Sequence, residues 1–141
     1  MLKSINPLLT GELLAILAEM GHGDEIVITD ANFPAVRVAE HLIQMPGIPA
    51  TDILEAVLSL MPLDDFVDHP ATVMDAVSHR PAIYTEFEAI VESAEKRRIP
   101  LDNIEVPAFV ERTKAACAVI SSGERRLYGN IILKKGVVRP E

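Results

Sequence analysis

Two short apolar runs near the end of the chain, Ala118–Ser121 (AVIS) and Asn130–Leu133 (NIIL), are joined by the polar connection Ser122-Gly123-Glu124-Arg125-Arg126 and the few residues after it. A parallel pair needs a crossover of a dozen or more residues, so this join predicts strands that run antiparallel. Upstream, the strand-like runs Glu25–Thr29 (EIVIT) and Ala71–Val77 (ATVMDAV) are separated by helix-like stretches, although Ala71–Val77 is compatible with helix as well. Strands alternating with helices predict a layered α/β fold. Together the two constraints predict a mixed sheet.

Thr10 is placed to cap a helix running through Met20, with Leu13, Leu14, Ile16, Leu17 and Met20 apolar and Gly21 as its stop. Thr51 and Asp52 open a second, carrying Ile53, Leu54, Val57, Leu58 and Met61 on one stripe, and Pro62 closes it. Ile83–Arg97 is the clearest surface helix. Phe87, Ile90, Val91 and Ala94 are expected to face inward, with the cations in the last turn. Ile104–Val106 reads as a short strand, and Pro107 fits the first turn of a helix to about Ala116. Val36–His41 reads as irregular, and Pro46-Gly47-Ile48-Pro49 as a turn.

With 141 residues, the chain fits one domain over 1–141. Apolar residues are 49%, aromatics only 4%, with no Trp, so aliphatic side chains must build the core. Thirteen Lys and Arg against 21 Asp and Glu leave a net charge of −8, which argues against nucleic acid and against anionic lipid as partners. Cys117 is alone, so neither an internal disulfide nor a thiolate zinc site is available, and its apolar neighbours predict a buried, inert thiol. No run reaches the ~18 apolar residues of a membrane span, and Met1–Gly11 lacks the pattern of a cleaved leader. The expectation is a soluble cytoplasmic protein.

Three places could carry chemistry. In Gly21-His22-Gly23-Asp24, an imidazole that titrates near neutrality sits on backbone free to let a ligand approach. A plain loop histidine is the alternative. Asp30 follows a strand, where ligands of open α/β sheets gather, and a carboxylate there can hold sugar hydroxyls or simply cap a turn. In Leu127-Tyr128-Gly129-Asn130, a phenol and an amide offer an apolar ring face with mixed donors and acceptors, which suits a neutral polyol or a turn. His41, His69 and His79 have no metal-ligand spacing. Arg125, Arg126, Lys134, Lys135 and Arg139 make the C-terminal part basic, which reads as a solvated edge or as subunit salt bridges more readily than as a phosphate site. No P-loop, GxSxG, HExxH or Rossmann fingerprint is present.

In combination and in order, Met1-Leu2-Lys3, Glu12–Asp24 (ELLAILAEMGHGD), Asp30-Ala31-Asn32-Phe33-Pro34, Ser122-Gly123-Glu124-Arg125 and Tyr128–Gly136 (YGNIILKKG) resemble the RbsD/FucU family of sugar mutarotases, particularly its fucose mutarotase branch. The middle, about 36–105, matches mainly in pattern. The resemblance implies a three-layer α/β/α fold and interconversion of the anomers of a free monosaccharide without cofactor or metal. It also implies a homodecamer of two stacked five-membered rings, with sites near subunit boundaries. His22 matches the family's acid/base histidine, Asp30 a sugar-binding aspartate, and Tyr128, Gly129 and Asn130 its sugar-contacting segment. Val106 stands where fucose-type members carry an arginine and ribose-type members a histidine, and Pro107 and Val110 also depart from the fucose-type pattern. Valine makes no such hydrogen bond, so a sugar presenting a methyl or C–H face is expected there. A pyranose–furanose interconverting enzyme and a non-catalytic sugar-binding subunit are the competing readings.

His22 and Asp30 are eight residues apart in sequence. Along a straight strand at about 3.3 Å per residue that is up to ~26 Å, too far for one small sugar to bridge. Either the loop folds back over the sheet or the site combines two chains.

Overall fold

A computed structural model describes residues 1–141. The elements run α1 (Gly11–Glu19), β1 (Glu25–Thr29), α2 (Ala35–Val38), β2 (Leu42–Met45), α3 (Ala50–Leu58), β3 (Ala71–Met74), α4 (Ile83–Glu95), β4 (Asp102–Ile104), α5 (Val106–Ala115), β5 (Ala118–Ser122) and β6 (Ile131–Lys134). All six strands form one sheet, in the order β2-β5-β1-β6-β3-β4. β1 pairs with β5 in parallel and with β6 antiparallel, so the sheet is mixed.

The two C-terminal strands do run in opposite directions, but they are not neighbours, because β1 lies between them. The connection between them therefore crosses the end of β1 beyond Thr29. In the antiparallel register, Ile28 faces Ile131 and Glu25 faces Lys134. This brings Asp30 beside Asn130 at one end of the pair and leaves the His22 loop at the other.

Strand side chains alternate between faces. Ile26, Ile28, Ala118, Ile120, Ile131 and Leu133 join the larger core with residues of α1, α3 and α4. Val27, Val119, Ile132 and Met74 join a smaller one with Ala35 at the start of α2 and Phe109 of α5. Helices thus cover both faces in a three-layer α/β/α arrangement. None of them is long and apolar enough to cross a membrane.

Several expectations need correction. The stretch after Pro34 holds a single helical turn, α2, and then the edge strand β2. Only β5 pairs with β2, and Gln44 is exposed, so neither element had a long apolar pattern to announce it. The strand before α5 ends at Ile104, and Val106 is already helical. α4 stops at Glu95 because Lys96 takes a left-handed conformation (φ 59°), so the cations lie beyond the helix and Ala94 is exposed. Cys117 is exposed, between buried Ala116 and Ala118. The start of β5 imposes two-residue alternation there, which hides the neighbours and not the thiol.

Candidate functional site

The end of β1 carries a buried carboxylate on a fixed scaffold. Asp30 is 5% exposed. Its backbone N–H donates to Asn130 Oδ1 (2.7 Å), and its Oδ2 accepts from Asn130 Nδ2 (3.1 Å). Its Oδ1 accepts from the Asn32 backbone N–H at 2.8 Å. Each carboxylate oxygen thus has one internal donor and a second lone pair to offer. Asn130 is committed to this brace, because its Nδ2 also lies 3.6 Å from Met74 Sδ. It positions Asp30 as much as it faces a ligand.

The backbone beside it is shaped by close approach. Tyr128 adopts φ 63°, a conformation uncommon outside glycine. A Cβ at Gly129 would lie 2.9 Å from Glu124 Cγ and 3.1 Å from the Arg126 carbonyl oxygen, so the position admits only glycine without displacement. Arg126 clamps the segment. Its Nε and Nη2 each donate to the buried Glu124 carboxylate at 3.1 Å, and Nη1 donates to Glu86 of α4. Burial pushes the Glu124 carboxyl up, but the Arg126 hydrogen bonds and charge outweigh it and hold the group below the usual glutamate value.

Asp30, Asn32, Tyr128 and Asn130 line a surface pocket together with Phe33, Met74, Val106 and Leu127. The structure therefore gathers Asp30, Tyr128, Asn130 and Val106, while Gly129 packs behind against Glu124, Arg126 and Ile83. His79 stacks edge-on against Tyr128, ring centroids 6.1 Å apart. Its loop contains Val77 at φ 65°, whose N–H is held by Asp75 Oδ1 at 2.8 Å. No group of three or more His, Cys, Asp or Glu side chains is placed to hold a metal ion.

His22 is not at this pocket. It lies before β1, at the strand's opposite end, with its side chain 43% exposed, so the loop does not fold back over the sheet. Its Nε2 is 2.9 Å from Asp64 Oδ1, and its ring packs on Phe66 with centroids 4.9 Å apart. An ionised carboxylate only accepts, so Nε2 carries the proton and a neutral ring keeps its lone pair on Nδ1. Burial raises the Asp64 carboxyl, but the Phe66 backbone N–H and His22 reverse this, and the group sits below the ordinary aspartate value. The loop is anchored from β6. Gly23 N–H donates to the Lys135 carbonyl (2.8 Å), and Lys135 Nζ donates to the Leu17 carbonyl (2.7 Å) and to that of Met20 at the end of α1.

Sequence reading missed Asp64. It is 42 positions from His22, and in Asp64-Asp65 it looks like any solvated acidic pair. Its one signal is position, directly after the helix-closing Pro62-Leu63.

A family model described as the RbsD / FucU transport protein family matches residues 3–138. The chain belongs to the RbsD / FucU family. This RbsD / FucU chain is 45% identical to the human protein named fucose mutarotase, over 97% of its own length and 94% of the relative's. Its fold is similar to that of the Streptococcus pneumoniae fucose mutarotase solved in complex with L-fucose, with TM-score 0.92, 41% identity, and 98% and 100% of the two chains covered. Bacillus subtilis RbsD, solved with D-ribose, is more distant at TM-score 0.76 and 27% identity, covering 99% and 100%.

Proposed function

We propose that this protein is a monosaccharide mutarotase, an isomerase interconverting the α and β anomers of a fucose-like sugar through its open-chain form. The carrying observation is the pocket at the end of β1, where a braced carboxylate with free lone pairs stands beside a phenol ring. Near full-length similarity to proteins named fucose mutarotase supports the same reading. The larger distance from the ribose-bound relative favours this over pyranose–furanose exchange.

Ring opening removes the proton of the anomeric hydroxyl and delivers one to the ring oxygen as the carbon–oxygen bond breaks. The carbonyl carbon then rotates, and closure reverses the transfers. Protons are the only species moved, so the reaction is redox-neutral. We assign one transfer to His22, whose Nδ1 is free to accept while Asp64 holds Nε2. Water or Tyr128 carries the other. Asp30 accepts from sugar hydroxyls, and Tyr128 covers a ring face.

Such chemistry needs His22 and Asp30 at one sugar, and within a chain they lie at opposite ends of β1. We therefore propose that each site joins the His22–Asp64 end of one subunit to the Asp30 pocket of another, in a cytoplasmic homo-oligomer of the family's decameric form. Apolar side chains left open at both ends support this: Phe66 and Val67 beside the first, Val106 and Leu127 at the second. Saturation-transfer NMR between the anomer resonances is the test. The expected result is exchange accelerated over the buffer rate for L-fucose or a close relative. Binding without acceleration would instead mark a non-catalytic sugar-binding protein.

A further inference from the structure

Resting on the mutarotase reading, we propose that the sugar this chain is built for is neutral and turns an apolar edge, a deoxy carbon or a methyl group, toward the first turn of α5, and that Val106 sets this preference. The pocket has two unlike sides. Asp30, Asn32 and Asn130 supply its polar groups, while Phe33, Met74, Val106 and Leu127 form an apolar wall. The wall is fixed by its surroundings. Phe33 packs edge-to-face on buried Phe109, with centroids 6.3 Å apart. Met74 is held by its carbonyl, which accepts from the Tyr84 hydroxyl at 2.6 Å, and by its Sδ contact with Asn130. Val106 lies in the helix backbone beside Pro107 and has no polar atom to offer.

A hydroxyl turned toward this wall leaves water and finds no partner, an expense of about tenfold or more in binding. A C–H or methyl group there loses nothing and covers apolar surface. Across the pocket, Asp30 has one free lone pair on each oxygen, suited to hydroxyl donors. No lysine, arginine or histidine lines the pocket, and Asp30 repels anions, so phosphorylated and acidic sugars are excluded by charge.

The test compares L-galactose, L-fucose and the 2-, 3- and 4-deoxy analogues of L-fucose. For each, anomer exchange is read by saturation-transfer NMR, and Kd by NMR titration, which needs no turnover. The expected result is one position where losing the oxygen leaves kcat/KM and Kd within about threefold or improves them, while deletions at the Asp30-held positions cost about tenfold or more. Val106→Thr, which adds one hydroxyl at nearly unchanged shape, and Val106→Arg should abolish that tolerance at the same position only. Equal losses for every deletion, or a pattern unmoved by both variants, would overturn the proposal while leaving the mutarotase reading intact. Position-selective binding without exchange would do the reverse. Absence of both binding and exchange across the series would overturn both.

Discussion

The His22–Asp64 contact and the Asp30–Asn130 brace do different work, and substitutions should separate them. His22→Ala removes a proton carrier from a partly exposed loop, so the variant should fold and assemble normally. Its exchange rate should fall by roughly 10²–10⁴-fold. Asp64→Asn preserves the shape but removes the charge that keeps the Nε2 proton in place. An amide nitrogen can donate to Nε2, which allows the wrong tautomer. A fall in kcat with little change in KM, accompanied by an altered pH–rate profile, is expected; a pure KM effect would assign Asp64 to sugar binding. Asn130→Ala leaves the buried Asp30 N–H without an acceptor. It should lower stability by about 1–3 kcal/mol, read from urea midpoints, and should weaken sugar binding because Asp30 loses its orientation.

At the scale of elements, the segment between β5 and β6 depends on a buried carboxylate, and this makes it acid-sensitive. Glu124 has a depressed pKa in the fold because Arg126 overcomes its burial. A depressed carboxylate stabilises the native state above its unfolded pKa, and that contribution is lost as pH falls through the folded value. Asp64 behaves alike at the other end of β1. Urea midpoints should therefore decline below about pH 4.5, and Glu124→Gln should flatten that decline while costing stability at pH 7. These elements also mark what the sequence could disclose. β1 and α1 were legible because a β-branched run and a capped apolar stripe are local signals, as Thr10 demonstrates by accepting from Leu13 N–H at 3.2 Å. β2 is not local in origin, since pairing with β5 alone makes it a strand. The same division runs through the site. His22, Asp30 and Tyr128 stood out by their glycine neighbours and strand ends, whereas Asp64, Phe33 and Met74 became visible only when register and packing brought distant segments together.

At the scale of the molecule, the straight course of β1 makes a strong demand. One chain offers two half-sites, and two copies can complete a site only if the His22 end of one meets the Asp30 pocket of the next. Such a contact is head-to-tail, and head-to-tail contacts close into rings. Sedimentation at micromolar concentration should accordingly give a large homo-oligomer, and a monomer would remove the basis for shared sites. A complementation experiment goes further. His22→Ala and Asp30→Asn chains, each inactive alone, are mixed in equal amounts, dissociated and reassembled. In a shared site, activity returns wherever the histidine comes from an Asp30→Asn chain and the aspartate from a His22→Ala chain. Random assembly makes about one site in four of that kind, so about a quarter of wild-type exchange should reappear. If both groups act from the same chain, every site in every mixture carries one lesion and no activity returns. Recovery near a quarter, absent when the two homo-oligomers are mixed without dissociation, would establish that the distance along β1 is spanned between subunits.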